Sequence, residues 1–256
     1  MLLALDAGNS NITIGAFEEQ RLIGRWRLRT IHEQTADEWG VLMRNLFALS
    51  SLDLARVDGI IIASLVPTLD APLAAMAERY FQTKPLFVTP ETDIGIKVLY
   101  DNPREVGADR VVNGVAAFHL YGGPAVVVDS GTTINFDVVS ANGEYLGGMI
   151  CPGIGMSIAG LFAKTARLPM VDFRAPARLI GKNTVASIQS GLYYGFAGLI
   201  DGIVDRVIAE LGSQTMVVAT GGQARLIAQA ARTVREINED LTLQGLEIIW
   251  RRNQKK

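Results

Sequence analysis

The sequence predicts an α/β protein made of two duplicated domains, each with a mixed β-sheet flanked by helices. A strand–turn–strand–turn–strand pattern occurs near the start of the chain and again about half a chain later. Each copy is followed by buried apolar runs that alternate with helical patterns. The chain has 256 residues, of which 49% are hydrophobic, and this length suits one large or two modest domains.

The first copy of the pattern is the stretch LLALDAGNSNITIGAF and the residues after it. Residues 2–5, 12–17 and 21–28 predict three strands, with a polar turn at 18–20. Asp, Gly, Asn and Ser at 6–10 separate the first two strands. Because no helix follows the glycine, the pattern argues against a dinucleotide-binding fold or a P-loop.

The second copy is the stretch AVVVDSGTTINFDVVSANGEYLGG, which begins at Ala125. Two copies of one unit indicate a duplicated domain rather than a solenoid, and we place the domains at 1–115 and 116–256. An alignment without gaps pairs Asp6 with Asp129, Gly8 with Gly131, Leu22 with Tyr145, Ile23 with Leu146 and Gly24 with Gly147.

Each half continues with a further buried strand and a helix. GIIIA at 59–63 predicts a strand, followed by a helix near 70–81. MVVA at 216–219 is its expected counterpart, followed by two glycines and a helix from Ala224. This alternation completes the α/β prediction.

The two Asp-x-Gly turns are candidate phosphate clamps. Glycine lets backbone N–H groups approach an anion closely, and the neighbouring Asn, Ser and Thr residues add donors. An Asp at a strand end is suited to Mg²⁺ that bridges phosphate oxygens. The alternative is a plain hairpin turn, in which the same residue types are common. Two copies in register favour the clamp, and a shared cleft would let both hold one nucleotide.

Composition excludes several function classes. The formal net charge is −2 and Lys and Arg are scattered, so we expect no nucleic-acid partner. Cys151 is the only cysteine, which fits a reducing cytoplasm. We expect no signal peptide or membrane span. His32 and His119 stand in undistinguished contexts, so the mechanism should not need them.

Eight short motifs occur along the chain: DAGNS at 6–10, IASLVP at 62–67, GADR at 107–110, DSGT at 129–132, GGMICPG at 147–153, TARLP at 165–169, GKNT at 181–184 and TGG at 220–222. Their order and spacing resemble the type III pantothenate kinases, within the superfamily of actin, sugar kinases and heat-shock chaperone ATPases. The resemblance implies two ribonuclease H-like (actin-like ATPase) domains. It also implies ATP-dependent phosphorylation of pantothenate to 4′-phosphopantothenate, the first step of coenzyme A biosynthesis.

The resemblance also assigns residues. ATP would bind at Asp6, Ala7, Gly8, Asn9, Ser10, Asn11, Ile12, Thr13 and Thr132. Pantothenate would bind at Tyr100, Gly107, Ala108, Asp109, Arg110 and Thr184, with Asp109 as the catalytic base. Asp129 would help to bind a monovalent cation, K⁺ or NH₄⁺, and Mg²⁺ would accompany ATP. Two departures stand out: Ser10 replaces the usual Thr, and Thr133-Ile134-Asn135 replaces a commoner Ala-Thr-Thr.

Each assignment has a structural alternative. From the local pattern alone, Asp109 is an N-cap of the next helix, and Thr184 is the cap of a helix that runs toward Leu211. Tyr100 could fill the edge of a core. Arg110 could be a surface charge, although a guanidinium suits a substrate carboxylate or phosphoryl oxygens.

A stripe of glycines predicts a close backbone approach. Gly191, Gly195, Gly198 and Gly202 share one face of the predicted long helix. Packing against its own sheet and a contact with a second subunit both explain the stripe. Together with the segment 147–153, which resembles the family's dimer-forming segment, it predicts a homodimer.

Two rival functions remain open. The same nucleotide-binding frame could phosphorylate another acceptor, such as a sugar, because fold does not fix substrate. The chain could also be a catalytically silent relative that acts as a transcriptional accessory factor. Asp6, Asp109 and Asp129 are all present, which favours the enzyme.

Overall fold

The structure, a computed structural model, describes residues 1–164 and 168–254. The first three residues of the TARLP motif lie outside the described residues. The strands are β1 (Leu2–Ala7), β2 (Asn11–Glu18), β3 (Arg21–Arg29), β4 (Gly59–Ser64), β5 (Leu86–Phe87), β6 (Lys97–Val98), β7 (Ala125–Ser130), β8 (Thr133–Val139), β9 (Glu144–Pro152), β10 (Met216–Thr220) and β11 (Glu236–Ile237). The helices are α1 (Ala36–Leu49), α2 (Pro67–Phe81), α3 (Ala108–Tyr121), α4 (Ile154–Lys164), α5 (Thr184–Leu211), α6 (Ala224–Ala230) and α7 (Leu241–Gln254), with short 3₁₀ helices at Leu54–Arg56 and Pro103–Glu105.

The strands form two mixed sheets. The order of the first sheet is β3-β2-β1-β4-β5, and the order of the second is β11-β10-β7-β8-β9-β6. In the first sheet β1 pairs antiparallel with β2 and parallel with β4. In the second, β7 pairs antiparallel with β8 and parallel with β10. The predicted class, α/β with two mixed sheets flanked by helices, is confirmed.

The chain divides into two compact units. The first contains Met1–Ile96, Asp101–Ala116 and helix α7, and the second contains Lys97–Tyr100 and Ala117–Asp240. The predicted limits were 1–115 and 116–256, but β6 belongs to the second unit and α7 belongs to the first. The sequence gives no local signal that α7 returns to the first unit, because its amphipathic pattern is an ordinary one.

Helix α7 completes the core of the first unit. Leu243, Leu246 and Ile249 are buried in a cluster with residues of β1, β4 and α3. A Cβ added at Gly245 would lie 2.4 Å from the carbonyl oxygen of Val112, so the backbones of α7 and α3 approach closely there. Burial of three large aliphatic side chains stabilises the unit by several kcal/mol, at roughly 1.5–3 kcal/mol each.

The two three-stranded hairpin units are alike, but their alignment is not free of gaps. The last paired residues of the first turn are Ala7 and Ile12, which leaves four residues between them. The corresponding pair is Ser130 and Ile134, which leaves three. The next turn has two residues between Glu18 and Arg21 in the first copy.

In the second copy, Ser140 and Glu144 close that turn through a backbone hydrogen bond of 2.8 Å, with three residues between them. The two one-residue differences compensate, so the predicted gapless alignment was wrong for the middle strand only. Both third strands carry a β-bulge at the same aligned place, at Ile23 and at Leu146.

The described residues include no helix that is both long enough and apolar enough to cross a lipid bilayer.

Candidate active site

The Asp6 turn connects β1 to β2. The Gly8 N–H donates to the Asn11 carbonyl at 3.1 Å, which closes the turn. Asn9 and Ser10 are exposed, and Asp6 is half-buried at the end of an otherwise buried strand. The turn therefore presents polar side chains and backbone groups to solvent, as an anion site requires. The Asp6 carboxylate lies next to them.

Thr30 anchors this turn from outside the predicted motif. Its hydroxyl donates to the Gly8 carbonyl at 2.6 Å, and its N–H donates to the Ser10 carbonyl at 3.1 Å. Thr30 is buried, with 8% of its surface exposed. Sequence reasoning missed this residue, because a threonine just past a strand carries no signal of a bond to a turn twenty residues earlier.

The Asp129 turn connects β7 to β8. The Gly131 N–H donates to the Thr133 carbonyl at 2.9 Å, Thr132 is exposed and Asp129 is half-buried. A Cβ added at Gly221 would lie 2.5 Å from Asp129 Oδ1, and Gly221 has a φ of +90°. Both observations require glycine there, so the TGG motif after β10 shapes the surroundings of the carboxylate.

Gly153 supports the second turn as Thr30 supports the first. It aligns with Thr30 at the end of the third strand. A Cβ at Gly153 would lie 2.1 Å from the Thr132 carbonyl oxygen and 2.9 Å from that of Gly131. The first copy therefore holds its turn with a side chain, whereas the second holds its turn by direct backbone packing.

The loop that contains Asp109 runs into α3. The helix begins at Ala108, so Asp109 is its second residue and not the cap that the local pattern suggested. Asp109 Oδ1 accepts a 2.8 Å hydrogen bond from the Arg110 N–H. A Cβ at Gly107 would lie 2.7 Å from the same oxygen, so a side chain at position 107 would force the carboxylate to move.

Burial raises the pKa of the Asp109 carboxyl above its ordinary value. The backbone N–H and the charge of Arg110 act in the opposite direction but do not reverse the shift. Arg110 itself is buried, with 7% of its surface exposed, so it is not a simple surface charge. A carboxylate with a raised pKa is a better proton acceptor than an ordinary one.

The Asp6 turn and the Asp109 loop lie at the same edge of the first sheet. The Leu65 N–H donates to the Ala7 carbonyl at 2.9 Å, directly after the parallel strands β1 and β4 end. The Leu65 Cδ2 atom lies 3.1 Å from the Cβ position of Gly107. The structure thus brings together two sets of predicted residues that are about a hundred positions apart in sequence.

Tyr100 and Thr184 belong to the second unit. The Tyr100 ring lies 3.4 Å from a Cβ added at Gly147, so it packs over the β9 backbone. Thr184 is the first residue of α5, and the cap is Asn183, whose side chain accepts from the Ala186 N–H at 2.8 Å. The expectation that Thr184 itself caps the helix was wrong by one residue, and its hydroxyl is exposed.

Thr184 lines a shallow depression of about 790 Å³. Lys182 and Asn183 line it on the polar side, and Leu161 and Leu192 line it on the apolar side. A cation and hydroxyl groups beside an apolar wall suit a small organic acid.

The departures at 133–135 are accommodated. The Ile134 side chain is fully buried in the core of the second unit, and the Thr133 hydroxyl donates to Asn135 Oδ1 at 3.1 Å. Neither change disturbs the closing hydrogen bond of the Asp129 turn.

A magnesium ion fits the donors of the first turn. In the part of the chain that the structure describes, no three Asp, Glu, His or Cys side chains form a cluster that could hold a metal. In nucleotide sites, however, Mg²⁺ keeps several waters and takes one or two carboxylates together with the substrate phosphates. Asp6, a single carboxylate beside a turn with exposed polar groups, matches that donor set.

Solved structures share this fold. A Campylobacter jejuni protein that is provisionally described as a Baf family transcriptional activator is 20% identical, with a TM-score of 0.62 over 99% of this chain and all of that one. The activator of 2-hydroxyisocaproyl-CoA dehydratase from Clostridium difficile is 11% identical, with a TM-score of 0.56 over 99% of this chain and 97% of that one. At these identities the likeness shows the fold alone.

Comparison with related sequences identifies the family, whereas the solved structures identify only the fold. The model of the type III pantothenate kinase family matches residues 2–206. The type III pantothenate kinase of Solibacter usitatus is 66% identical, covering 99% of this chain and 97% of the relative. That of Koribacter versatilis is 53% identical over 99% of this chain and 96% of the relative. The chain belongs to the type III pantothenate kinase family.

Proposed function

We propose that this protein transfers the γ-phosphoryl group of ATP to the terminal hydroxyl of pantothenate. The product is 4′-phosphopantothenate, and the reaction opens coenzyme A biosynthesis in the cytoplasm. The observation that carries the proposal is the Asp109 carboxylate, held by the Arg110 N–H at the edge of the sheet where the Asp6 turn also lies. Relatives named type III pantothenate kinase that match nearly the whole chain support it.

The nucleotide is assigned to the two Asp-x-Gly turns. Residues 6–13 and Thr132 would surround the phosphates, with the exposed side chains of Asn9, Ser10 and Thr132 as hydrogen-bond donors, and Asp6 would hold Mg²⁺. When bound, Mg²⁺ neutralises the charge that develops on the phosphate oxygens. Transfer of a phosphoryl group depends mainly on positioning and charge neutralisation, so exposed donors on rigid hairpins are suited to it.

The acceptor is assigned to Tyr100, Thr184 and the loop 107–110. Arg110 is placed to pair with the pantothenate carboxylate or with the transferred phosphoryl oxygens. Asp109 accepts the proton of the pantothenate hydroxyl, and the oxygen of that hydroxyl forms the new bond to the γ-phosphorus. The bond from that phosphorus to the bridging oxygen breaks, and ADP leaves with the electron pair.

A monovalent cation is assigned to Asp129. The half-buried carboxylate stands beside the second turn, where bound phosphates would add further negative charge. A K⁺ or NH₄⁺ ion would balance that charge. A Cβ at Gly221 would lie 2.5 Å from Asp129 Oδ1, so the glycine keeps a side chain away from that oxygen.

We also propose a homodimer that uses the glycine face of α5. Among the residues that the structure describes, no atom lies within 4 Å of a Cβ added at Gly191, Gly195 or Gly198, so this face does not pack against the chain's own sheet. Exposed apolar side chains lie on α4 and α5, among them Met156, Phe162 and Tyr194. A second copy of the chain would cover both features.

A coupled assay of ADP release tests the function. Purified protein with Mg²⁺-ATP should turn over pantothenate, and glucose or N-acetylglucosamine should give no rate above background. Activity should rise when K⁺ or NH₄⁺ replaces Na⁺ at constant ionic strength. No turnover of pantothenate in any of the three salts would contradict the proposed reaction, and equal rates in all three would contradict the cation site alone.

A further inference from the structure

A row of side chains crosses the first sheet beside the Asp6 turn. Thr13 of β2 stands opposite Asp6 of β1 on one side and opposite Arg27 of β3 on the other. Residues directly opposite each other in neighbouring strands project from the same face of a sheet. The Arg27 side chain therefore leaves the sheet on the same face as Asp6 and Thr13.

A second arginine stands one step closer to the turn. Arg29 is opposite Asn11, the first residue after the turn. Arg27 and Arg29 are both exposed, and neither guanidinium makes a hydrogen bond or ion pair with the residues that the structure describes. Two cationic groups thus flank an anion-binding turn and are available to a ligand.

The duplication supplies an internal control. In the second copy, the residues opposite Asn135 and Thr133 are Ile150 and Pro152. These two residues occupy the places that Arg27 and Arg29 occupy in the first copy. The hairpin geometry does not need arginine there, so the pair of arginines needs an explanation that applies to the first copy only.

One such explanation is the position of β3 at the edge of its sheet. Charged side chains on edge strands prevent pairing with other chains. That role would be served equally by Arg25, which lies opposite Gly15 and farther from the turn. It gives no reason for the arginines to extend up to the turn itself.

We propose that Arg27 and Arg29 bind the phosphate oxygens of the nucleotide that the Asp6 turn holds. The guanidinium group donates two parallel hydrogen bonds to phosphate and is always charged. Two such groups offset the charge of the triphosphate on the side of the turn away from β1. This inference rests on the proposed function, because it takes ATP as the ligand of the turn.

Binding measurements with a series of nucleotides test the inference. Arg27→Gln, Arg29→Gln and the matched control Arg25→Gln would each be titrated with ATP, ADP and adenosine in the presence of Mg²⁺, by isothermal titration calorimetry. A hydrogen bond to a charged group contributes roughly 1.5–3 kcal/mol. We therefore expect Arg27→Gln and Arg29→Gln each to weaken ATP binding about tenfold or more. Adenosine binding should stay within twofold of the parent, and Arg25→Gln should bind all three ligands as the parent does.

Two results would overturn the inference. In one, both glutamine variants at 27 and 29 bind ATP within twofold of the parent. In the other, they lose adenosine and ATP affinity equally, which would indicate a structural role. Arg27→Lys, which keeps the charge but loses the paired donors, should recover part of the ATP affinity.

The same data separate this inference from the proposed function. If the parent phosphorylates pantothenate while the variants bind ATP normally, the arginine assignment fails and the reaction stands. If the parent does not act on pantothenate but the variants show the selective loss of ATP affinity, the reaction fails and the arginine assignment stands.

Discussion

Asp109 illustrates how the surroundings of one residue set its chemistry. Its carboxyl is desolvated, and a raised pKa in the folded state means that ionisation opposes folding. This loss of stability is absent below the pKa of the unfolded chain, and it is complete once the pH exceeds the pKa of the folded protein. A group that destabilises the fold at neutral pH is more easily explained by function than by structure.

We expect Asp109→Asn to lower kcat by at least about 10²-fold, since general-base catalysis contributes roughly 10²–10⁴ in rate. Removal of a buried charge should leave the free energy of unfolding at pH 7 unchanged or higher. Steady-state kinetics and urea denaturation measure both quantities. The acid limb of the parent's pH–rate profile should lie above that of an ordinary aspartate and should vanish in the variant.

Asp6→Asn is the comparison for this prediction, because its effect should change with the Mg²⁺ concentration, whereas that of Asp109→Asn should not. A well-folded Asp109→Asn protein that keeps more than about a tenth of the parent kcat would exclude the base.

Thr30 provides a second prediction at the same scale. Thr30→Val keeps the shape of the side chain but removes the hydroxyl that donates to Gly8. Loss of one such bond should raise the KM for ATP by roughly 2- to 10-fold and lower the free energy of unfolding by about 1 kcal/mol. Thr30→Ser, which keeps the donor, should bind ATP nearly as the parent does. Equal KM values for the Val and Ser variants would show that the bond does not position the turn.

At the scale of elements, the paired hairpin units show what sequence could and could not reveal. The strands β1 and β7 were predictable, because each is a short apolar run that ends in Asp and Gly. The compensating changes in turn length were not, since a turn shortened by one residue and another lengthened by one restore the same spacing. Likewise, Asp109 and Thr184 were misplaced relative to helix starts because caps depend on which carbonyl or side chain is within reach.

Gly153 supports the Asp129 turn, as Thr30 supports the Asp6 turn. Gly153→Ala would force a methyl group to within 2.1 Å of the Thr132 carbonyl oxygen, so β9 or the turn has to shift. We expect a loss of more than about 1 kcal/mol in the free energy of unfolding and a higher KM for ATP.

Gly155→Ala is the matched control, because a Cβ there meets no atom of residues 1–164 or 168–254 within 4 Å. Alanine inside a helix stabilises by up to about 1 kcal/mol relative to glycine. Thermal denaturation measures the stability of both variants, and we expect Gly153→Ala to melt at a lower temperature than Gly155→Ala. Equal melting temperatures for the two would mean that the turn yields freely.

The organisation of the whole molecule was predictable as far as two α/β halves, because the internal repeat is visible in the sequence. The return of α7 to the first unit was not predictable, because Leu243, Leu246 and Ile249 find their partners more than a hundred residues away. Amphipathic periodicity tells that a helix has a buried face but does not tell which core buries it.

For the whole molecule, we predict that two copies of the chain associate through the glycine face of α5. Gly195→Arg would place a long charged side chain on the open face of α5, and we expect it to convert a dimer into a monomer. Light scattering at micromolar concentration measures the mass. Glu210→Arg, an exposed change near the other end of the same helix, should leave the mass of the parent unchanged. A parent protein that is already monomeric would refute the proposal.

The contribution of α7 to the first core has a consequence during synthesis. The ribosome makes β1 first, yet the core on the face of that strand that carries Leu2 and Ala4 stays incomplete until Leu243 to Ile249 have left the exit tunnel. At roughly 5–20 residues per second, this interval lasts tens of seconds at the slower rates. The nascent amino-terminal half therefore cannot complete its folding while it is being made. The second unit, residues 97–100 and 117–240, is made in full before α7 and can be the first to finish.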